Sequence, residues 1–130
     1  MLDTNILIEL IRGKSDALIS HLRQHSVDEF GVSAVTYTEL MHGVEKSADK
    51  IRNKVALTLL MARFNILDYG TDAANCYGKI RADLEHKGTP IGPLDTMIAA
   101  HAKSLGLVLV TNNTSEFSRV DGLEVENWVN

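Results

Sequence analysis

Gly106-Leu107-Val108-Leu109-Val110-Thr111 is a glycine followed by an unbroken apolar, β-branched run, the pattern of a strand buried on both faces of a sheet. Just upstream, Pro93 stands at a first helical position. Leu94, Ile98, Ala102 and Leu105 then recur as a buried stripe, and Gly106 closes the helix. Working outward, the same alternation repeats. Met1-Leu2-Asp3 reads as a very short strand, Phe30-Gly31-Val32-Ser33 and Ile66-Leu67-Asp68-Tyr69 as further strands, and Leu123-Glu124-Val125 as a last one running toward Trp128. Between them, Asn5 to Arg12 is an apolar helix stopped by Gly13, and Ser15 or Asp16 caps a second helix through His25. Ser33 caps a third, Ala34 to Ser47, with Tyr37, Leu40, Met41, Val44 and Ala48 at helical spacing. Asp49 to Phe64 repeats the pattern with Ile51, Val55, Leu59 and Ala62, and a helix from Thr71 or Asp72 ends near Lys87-Gly88. Strands alternating with helices mean an α/β domain with a mainly parallel sheet.

The chain has 130 residues, 45% hydrophobic and 23% charged, which suits one globular domain over 1–130 with its own core. No repeat, low-complexity tract or composition break marks a linker. The lone Cys76 is expected to act as a small hydrophobe on a helix. His21 and His25 are spaced like ligands on one helix face, but no cysteine lies near them, which argues against structural zinc. These features, with no secretory signal and no run of roughly 18 apolar residues, point to a reducing, cytoplasmic setting away from membranes. A net charge of −4 excludes a simple electrostatic coat for nucleic acid, though not an enzyme whose carboxylates hold cations. The basic residues are scattered: Arg12 and Lys14, Lys46 to Lys54, and Lys79, Arg81 and Lys87.

Ligand sites in such sheets lie beyond the carboxyl ends of the strands, and several acids fall there. Asp3 ends the first strand, and Thr4-Asn5 after it can cap the next helix. Asp95 lies in the first turn of the helix opened by Pro93. Glu116 and Asn113 follow the clearest strand in the turn Thr111 to Phe117, and Glu39 sits on the third helix near Gly43. Taken singly, each has an ordinary explanation. Asp3 and Asp95 complement helix dipoles, Glu39 is a solvated helical acid able to pair with His42, and Asn pairs suit turns. Taken together, three of the four segments are strand-end to helix-start junctions on one sheet edge, with Glu39 able to lie over them. Converging carboxylates without histidine or cysteine select hard cations such as Mg2+ or Mn2+, and without a cation they repel one another.

The same residues carry a family resemblance. Leu2-Asp3-Thr4-Asn5 resembles the opening motif of PIN domains, and Ser33 to Leu40 followed by Gly43 resembles the second. Pro93-Leu94-Asp95-Thr96-Met97-Ile98-Ala99-Ala100-His101-Ala102 is similar to the third. Val110 to Phe117 is similar to the last, continued by Arg119, Gly122-Leu123 and Trp128 in the manner of bacterial VapC toxins, the enteric ones above all. The four motifs are in order and span nearly the whole chain.

The resemblance implies a three-layer PIN-like domain and an endoribonuclease using one or two Mg2+ or Mn2+ ions. Asp3, Glu39 and Asp95 would form the catalytic metal-binding core, with Glu116 as fourth acid in preference to the neutral Asn113. Thr111 and Asn113 would support it, and Asn5 would orient the Asp3 carboxylate. The implied substrate is tRNA, in particular the anticodon stem-loop of initiator tRNA, and the implied setting is a toxin–antitoxin pair that arrests growth. The implied partners are a VapB-type antitoxin seated between the third and fourth helices, operator DNA through that antitoxin alone, and a second copy of the chain. Lys79, Arg81 and Lys87 are candidates for tRNA phosphates, against the plainer reading of a solvated helix face.

One departure is that only Met1-Leu2 precede Asp3 where the family has a full strand: either the chain begins late, at an internal start, or the first strand is clipped, which puts the stability of a sheet edge and dimerisation in question. Two other readings compete. A haloacid-dehalogenase-type phosphatase also places an Asp at the first strand end, but it needs a second Asp two residues on, where this chain has Asn5. A non-catalytic RNA-binding PIN relative would bind RNA without cutting it.

Overall fold

The computed structural model describes residues 1–129. In chain order its elements are α1 (Thr4–Arg12), α2 (Asp16–Arg23), a 3-10 turn (Val27–Glu29), β1 (Gly31–Ser33), α3 (Ala34–Glu45), α4 (Lys50–Met61), β2 (Asn65–Leu67), α5 (Thr71–His86), α6 (Pro93–Ser104), β3 (Leu109–Val110), α7 (Thr114–Phe117) and β4 (Val125–Glu126). Helix ends follow local chemistry. Ser15, Ser33 and Asp49 cap α2, α3 and α4 with side-chain oxygens. Gly13 stops α1 at φ 65°, a backbone region that a Cβ disfavours.

The strands form two parallel pairs, β1 with β2 and β3 with β4. Met1-Leu2 joins them. Leu2 bridges Val110 in parallel, the Val110 amide donates to the Met1 carbonyl at 2.8 Å, and the Leu2 amide donates to the Gly31 carbonyl at 2.9 Å. The order across the array is therefore β4, β3, Met1-Leu2, β1, β2. This corrects the expectation of a weakened edge, because the short first strand lies at the centre, bonded on both sides.

Side-chain alternation along these strands separates two apolar layers. Leu2, Val32 and Val110 face a core with Ile6, Leu7, Leu18, Leu40, Val44, Leu57 and Met61 from α1 to α4. Met1 and Leu109 face another with Ile80, Leu84, Ile98, Ala99, Ala102 and Phe117 from α5 to α7. Each fully buried Leu, Ile or Phe contributes about 1.5–3 kcal/mol, and helices cover both faces of a parallel array, the three-layer α/β arrangement.

Three sequence expectations change. The strands are shorter: the run from Gly106 to Thr111 pairs as a strand only at Leu109–Val110, and Ile66 to Tyr69 becomes Asn65–Leu67. The Ile51, Val55 and Leu59 stripe of α4 is not core. Ile51 is 83% exposed and Leu59 67%, while Leu57 and Met61 are buried. The helix has apolar residues on two sides, and packing against α3 uses only one of them. Leu94 and Leu105, placed in the buried stripe of α6, are likewise exposed. His21 and His25 share a face as their spacing predicts, and both stack on the Trp128 indole, at centroid distances of 5.2 and 5.1 Å. They fasten the C-terminal segment to α2.

Candidate active site

Asp3 leaves the central strand and caps α1 itself, accepting from the Thr4 amide at 2.8 Å through Oδ1. Thr4-Asn5 is therefore not the cap. The other oxygen, Oδ2, accepts from Thr111 Oγ1 at 2.8 Å, so both oxygens are held although the side chain is only 2% exposed. Burial raises the Asp3 carboxyl above its ordinary value, and the nearby acids Glu39 and Glu116 add to this. The Thr111 and Thr4 hydrogen bonds oppose the rise. Thr111 is placed by β3 and also receives the Asn113 amide at 2.9 Å.

Glu39 stands on the second turn of α3 and is half-buried. Its Oε1 accepts from Thr4 Oγ1 at 2.8 Å, and it makes no bond to His42. Asp95 lies in the first turn of α6, whose N-terminal cap residue Gly92 offers no side chain. Its carboxyl is pushed up to about 7, first by burial, next by a hydrogen bond shared with Glu116, then by the charges of Asp3, Glu116 and Glu39. The Glu116 carboxylate is steadied by Asn113, whose Nδ2 donates to Oε2 at 3.1 Å. The fold therefore brings Asp3, Glu39, Asp95 and Glu116 from four separate segments to one end of the sheet.

Asp3, Glu39 and Asp95 open onto a groove of about 610 Å3 between α1, α3 and the start of α6. Thr38, His42, Gly43 and Lys46 line its α3 wall, and a Cβ added at Gly43 meets nothing within 4 Å, which leaves that wall low. Asn5 lines the groove but is exposed and makes no bond to Asp3. Both Asp3 oxygens are held by other partners, the Thr4 amide and Thr111 Oγ1. The open groove also runs between α1 and α3 and not between α3 and α4, which pack together.

Of the basic residues singled out, Lys87 is engaged by Asp83 at 3.1 Å and Asp121 at 2.7 Å, and Arg81 by Tyr77 at 2.7 Å. The cation at the groove is Lys46. Two further contributors escaped the sequence reading. Thr4 ties Glu39 to α1, and His101 is buried behind the site against Ser33. A hydroxyl after Asp3 and a histidine two turns after Asp95 were visible, but their partners lie far away in sequence.

The donor chemistry was tested against a divalent cation. Among the described residues no three of these side chains yet close on one point as a ready ligand group. The set is nevertheless all carboxylate, as hard cations require. Burial is the main cause of the upward push on Asp95, and the charges of Asp3, Glu116 and Glu39 add to it; a cation would relieve that part, so the residues fit such an ion.

The comparisons agree with this geometry. The PIN domain family model matches residues 1–123. A tRNA(fMet)-specific endonuclease VapC from Salmonella typhimurium is 44% identical, over 98% of this chain and 96% of its own length. Ribonuclease VapC2 from Haemophilus influenzae is 43% identical over 99% and 97%. A crystal structure of DNA-bound VapBC from Salmonella typhimurium superposes with a TM-score of 0.93 at 44% identity, covering 98% of this chain and 96% of that one.

Proposed function

The chain belongs to the PIN-domain family, among its VapC ribonucleases, and from that premise we propose that it is a divalent-cation-dependent endoribonuclease toxin. Its partner is a VapB-type antitoxin, and operator DNA is reached through that antitoxin. It acts in the cytoplasm on tRNA, with the initiator tRNA anticodon stem-loop as the specific target, and works as a homodimer. The observation that carries the chemistry is the gathering of Asp3, Glu39, Asp95 and Glu116, where burial first and the neighbouring acids after it raise Asp95 to about 7.

In this reading Asp3, Glu39 and Asp95 hold Mg2+ or Mn2+, with Glu116 as the fourth acid. One or two such ions supply positive charge against the scissile phosphate and make water easier to deprotonate. The chain's own residues do the positioning. Thr111 and the Thr4 amide hold Asp3 still in its buried position, and Thr4 Oγ1 holds Glu39. Asp95, pushed up to about 7 by burial and by its acidic neighbours, would be held in its charged form by the added positive charge. The groove along α1 and α3 takes the RNA strand, and Lys46 on its wall meets a backbone phosphate.

Because water attacks, the products carry a 5′-phosphate and a 3′-hydroxyl. The test is cleavage of end-labelled tRNA by the purified protein with Mg2+, with Mn2+ and with EDTA. Glu39→Gln, which keeps an acceptor for Thr4, lowers kcat by about 100-fold or more. Products ending in 2′,3′-cyclic phosphate, or undiminished cleavage in EDTA, overturn the mechanism.

A further inference from the structure

Behind the acids, His101 and Ser33 meet in the interior. His101 is 1% exposed and Ser33 is fully buried, among Ile98, Ala99, Ala102 and Val35. His101 Nδ1 lies 2.7 Å from Ser33 Oγ, and the same oxygen accepts from the Val35 amide at 3.1 Å. We propose that the His101–Ser33 hydrogen bond sets the register of α6 against α3 and thereby holds Asp95 and Glu39 at the spacing their shared cation requires, making His101 a positioning residue. This rests on the cation-dependent reading of the site given above.

Proton accounting fixes the direction of the bond. Ser33 Oγ already accepts from Val35, and its own proton has no other acceptor among its bonded neighbours, so it donates to Nδ1. Nε2 then carries the ring proton, and the Asp68 backbone carbonyl is the nearby acceptor acting on the ring. That contact does not reach ordinary hydrogen-bond geometry, which leaves Nε2 as the one buried side-chain nitrogen or oxygen without a partner among the described residues. Burial, the larger influence, holds the ring's pKa down, and the neutral form is the one this arrangement needs.

Sequence spacing gives the bond its reach. Ser33 is the N-terminal cap of α3, and Glu39 follows it on that helix. His101 follows Asp95 on α6. The offset is six residues on each helix, about 9 Å along a helix axis. The surrounding contacts are alanines and β-branched residues, which slide past one another at little cost. A directional bond between two fully buried groups does not, so it selects one register from several of similar apolar burial. Tyr69 packs against the imidazole in an edge-to-face arrangement at a centroid distance of 5.4 Å.

The test uses the full chain and Mn2+ alone, with binding read by electron paramagnetic resonance and folding by thermal melts. His101→Phe keeps the bulk and removes the acceptor, whereas His101→Asn keeps an acceptor near the Nδ1 position. The phenylalanine variant is expected to bind Mn2+ about 10-fold more weakly, as loss of a supporting partner typically does. Its kcat on RNA falls by a similar factor while KM changes less than about 2-fold, and the asparagine variant stays within about 3-fold of the parent on both measures. If the phenylalanine variant does not fold, His101→Leu, which also removes the acceptor but leaves the Ser33 cap of α3 in place, must weaken Mn2+ binding by the same factor. Mn2+ binding unchanged in His101→Phe, equal losses in the two histidine variants, or ring nitrogen shifts reporting the Nδ1–H tautomer would each overturn the proposal. A parent protein that binds Mn2+ but leaves RNA intact sinks the nuclease reading, while the Mn2+ comparison still decides this one.

Discussion

Replacing Asp95 with Asn should make the cation-free protein more stable while removing its activity. The Asp95 carboxyl goes from an ordinary value of 3.8 to about 7, through burial first, then the bond shared with Glu116, then the neighbouring charges. A carboxyl raised by folding favours the folded state most below its unfolded value, and that support is lost as pH rises through the folded value. At 1.36 kcal/mol per pH unit, ionising Asp95 at pH 8 costs the fold at most about 4 kcal/mol. Asp95 is only half-buried, and solvent screening reduces this to about 1–2 kcal/mol.

Asn keeps the shape, stays neutral and still donates to Glu116. In EDTA at pH 8 the Asp95→Asn protein should therefore melt about 5 °C higher than the parent, given roughly 3–5 °C per kcal/mol for a chain of this size. The difference should shrink as pH falls from 7 and vanish near pH 4. Saturating Mn2+ should then stabilise the parent more than the variant, because only the parent offers the full set of acids. A variant no more stable than the parent at pH 8, or a difference independent of pH, would falsify the claim that ionised Asp95, buried beside other acids, destabilises the cation-free fold.

Thr111→Val removes the donor to Asp3 Oδ2 without changing shape. Urea melts at pH 8 should show a loss of about 1.5–3 kcal/mol. Because that bond holds the Asp3 carboxyl down, its removal should move the acid limb of the cleavage pH profile to higher pH; an unmoved limb refutes this. On α4, Leu57→Ala should cost about 2–5 kcal/mol, whereas Leu59→Ala should stay within about 0.5 kcal/mol. Equal costs would mean that the exposed stripe is covered in solution.

Much of the fold is legible in the linear pattern because its signals are local. Helix caps at Ser15, Ser33 and Asp49, the stops at Gly13 and Gly106, and the apolar run around Leu109 each depend on neighbours a few residues away. So does the placing of Asp3, Asp95 and Glu116 at junctions on one sheet edge, since a parallel array sends all its strand ends the same way. Tertiary structure decided what depends on contacts between distant segments. It put Met1-Leu2 at the centre of the array, because backbone groups on Val110 and Gly31 were waiting on both sides. It chose Leu57 over Leu59 as core, because α4 has two apolar sides and only one neighbour. It joined Asp3 to Thr111, a hydrogen-bond partner 108 residues away. The bond between His101 and Ser33 is of the same kind: in its own segment Ser33 reads only as a helix cap and His101 as one more helical residue, and they meet only where two helices cross.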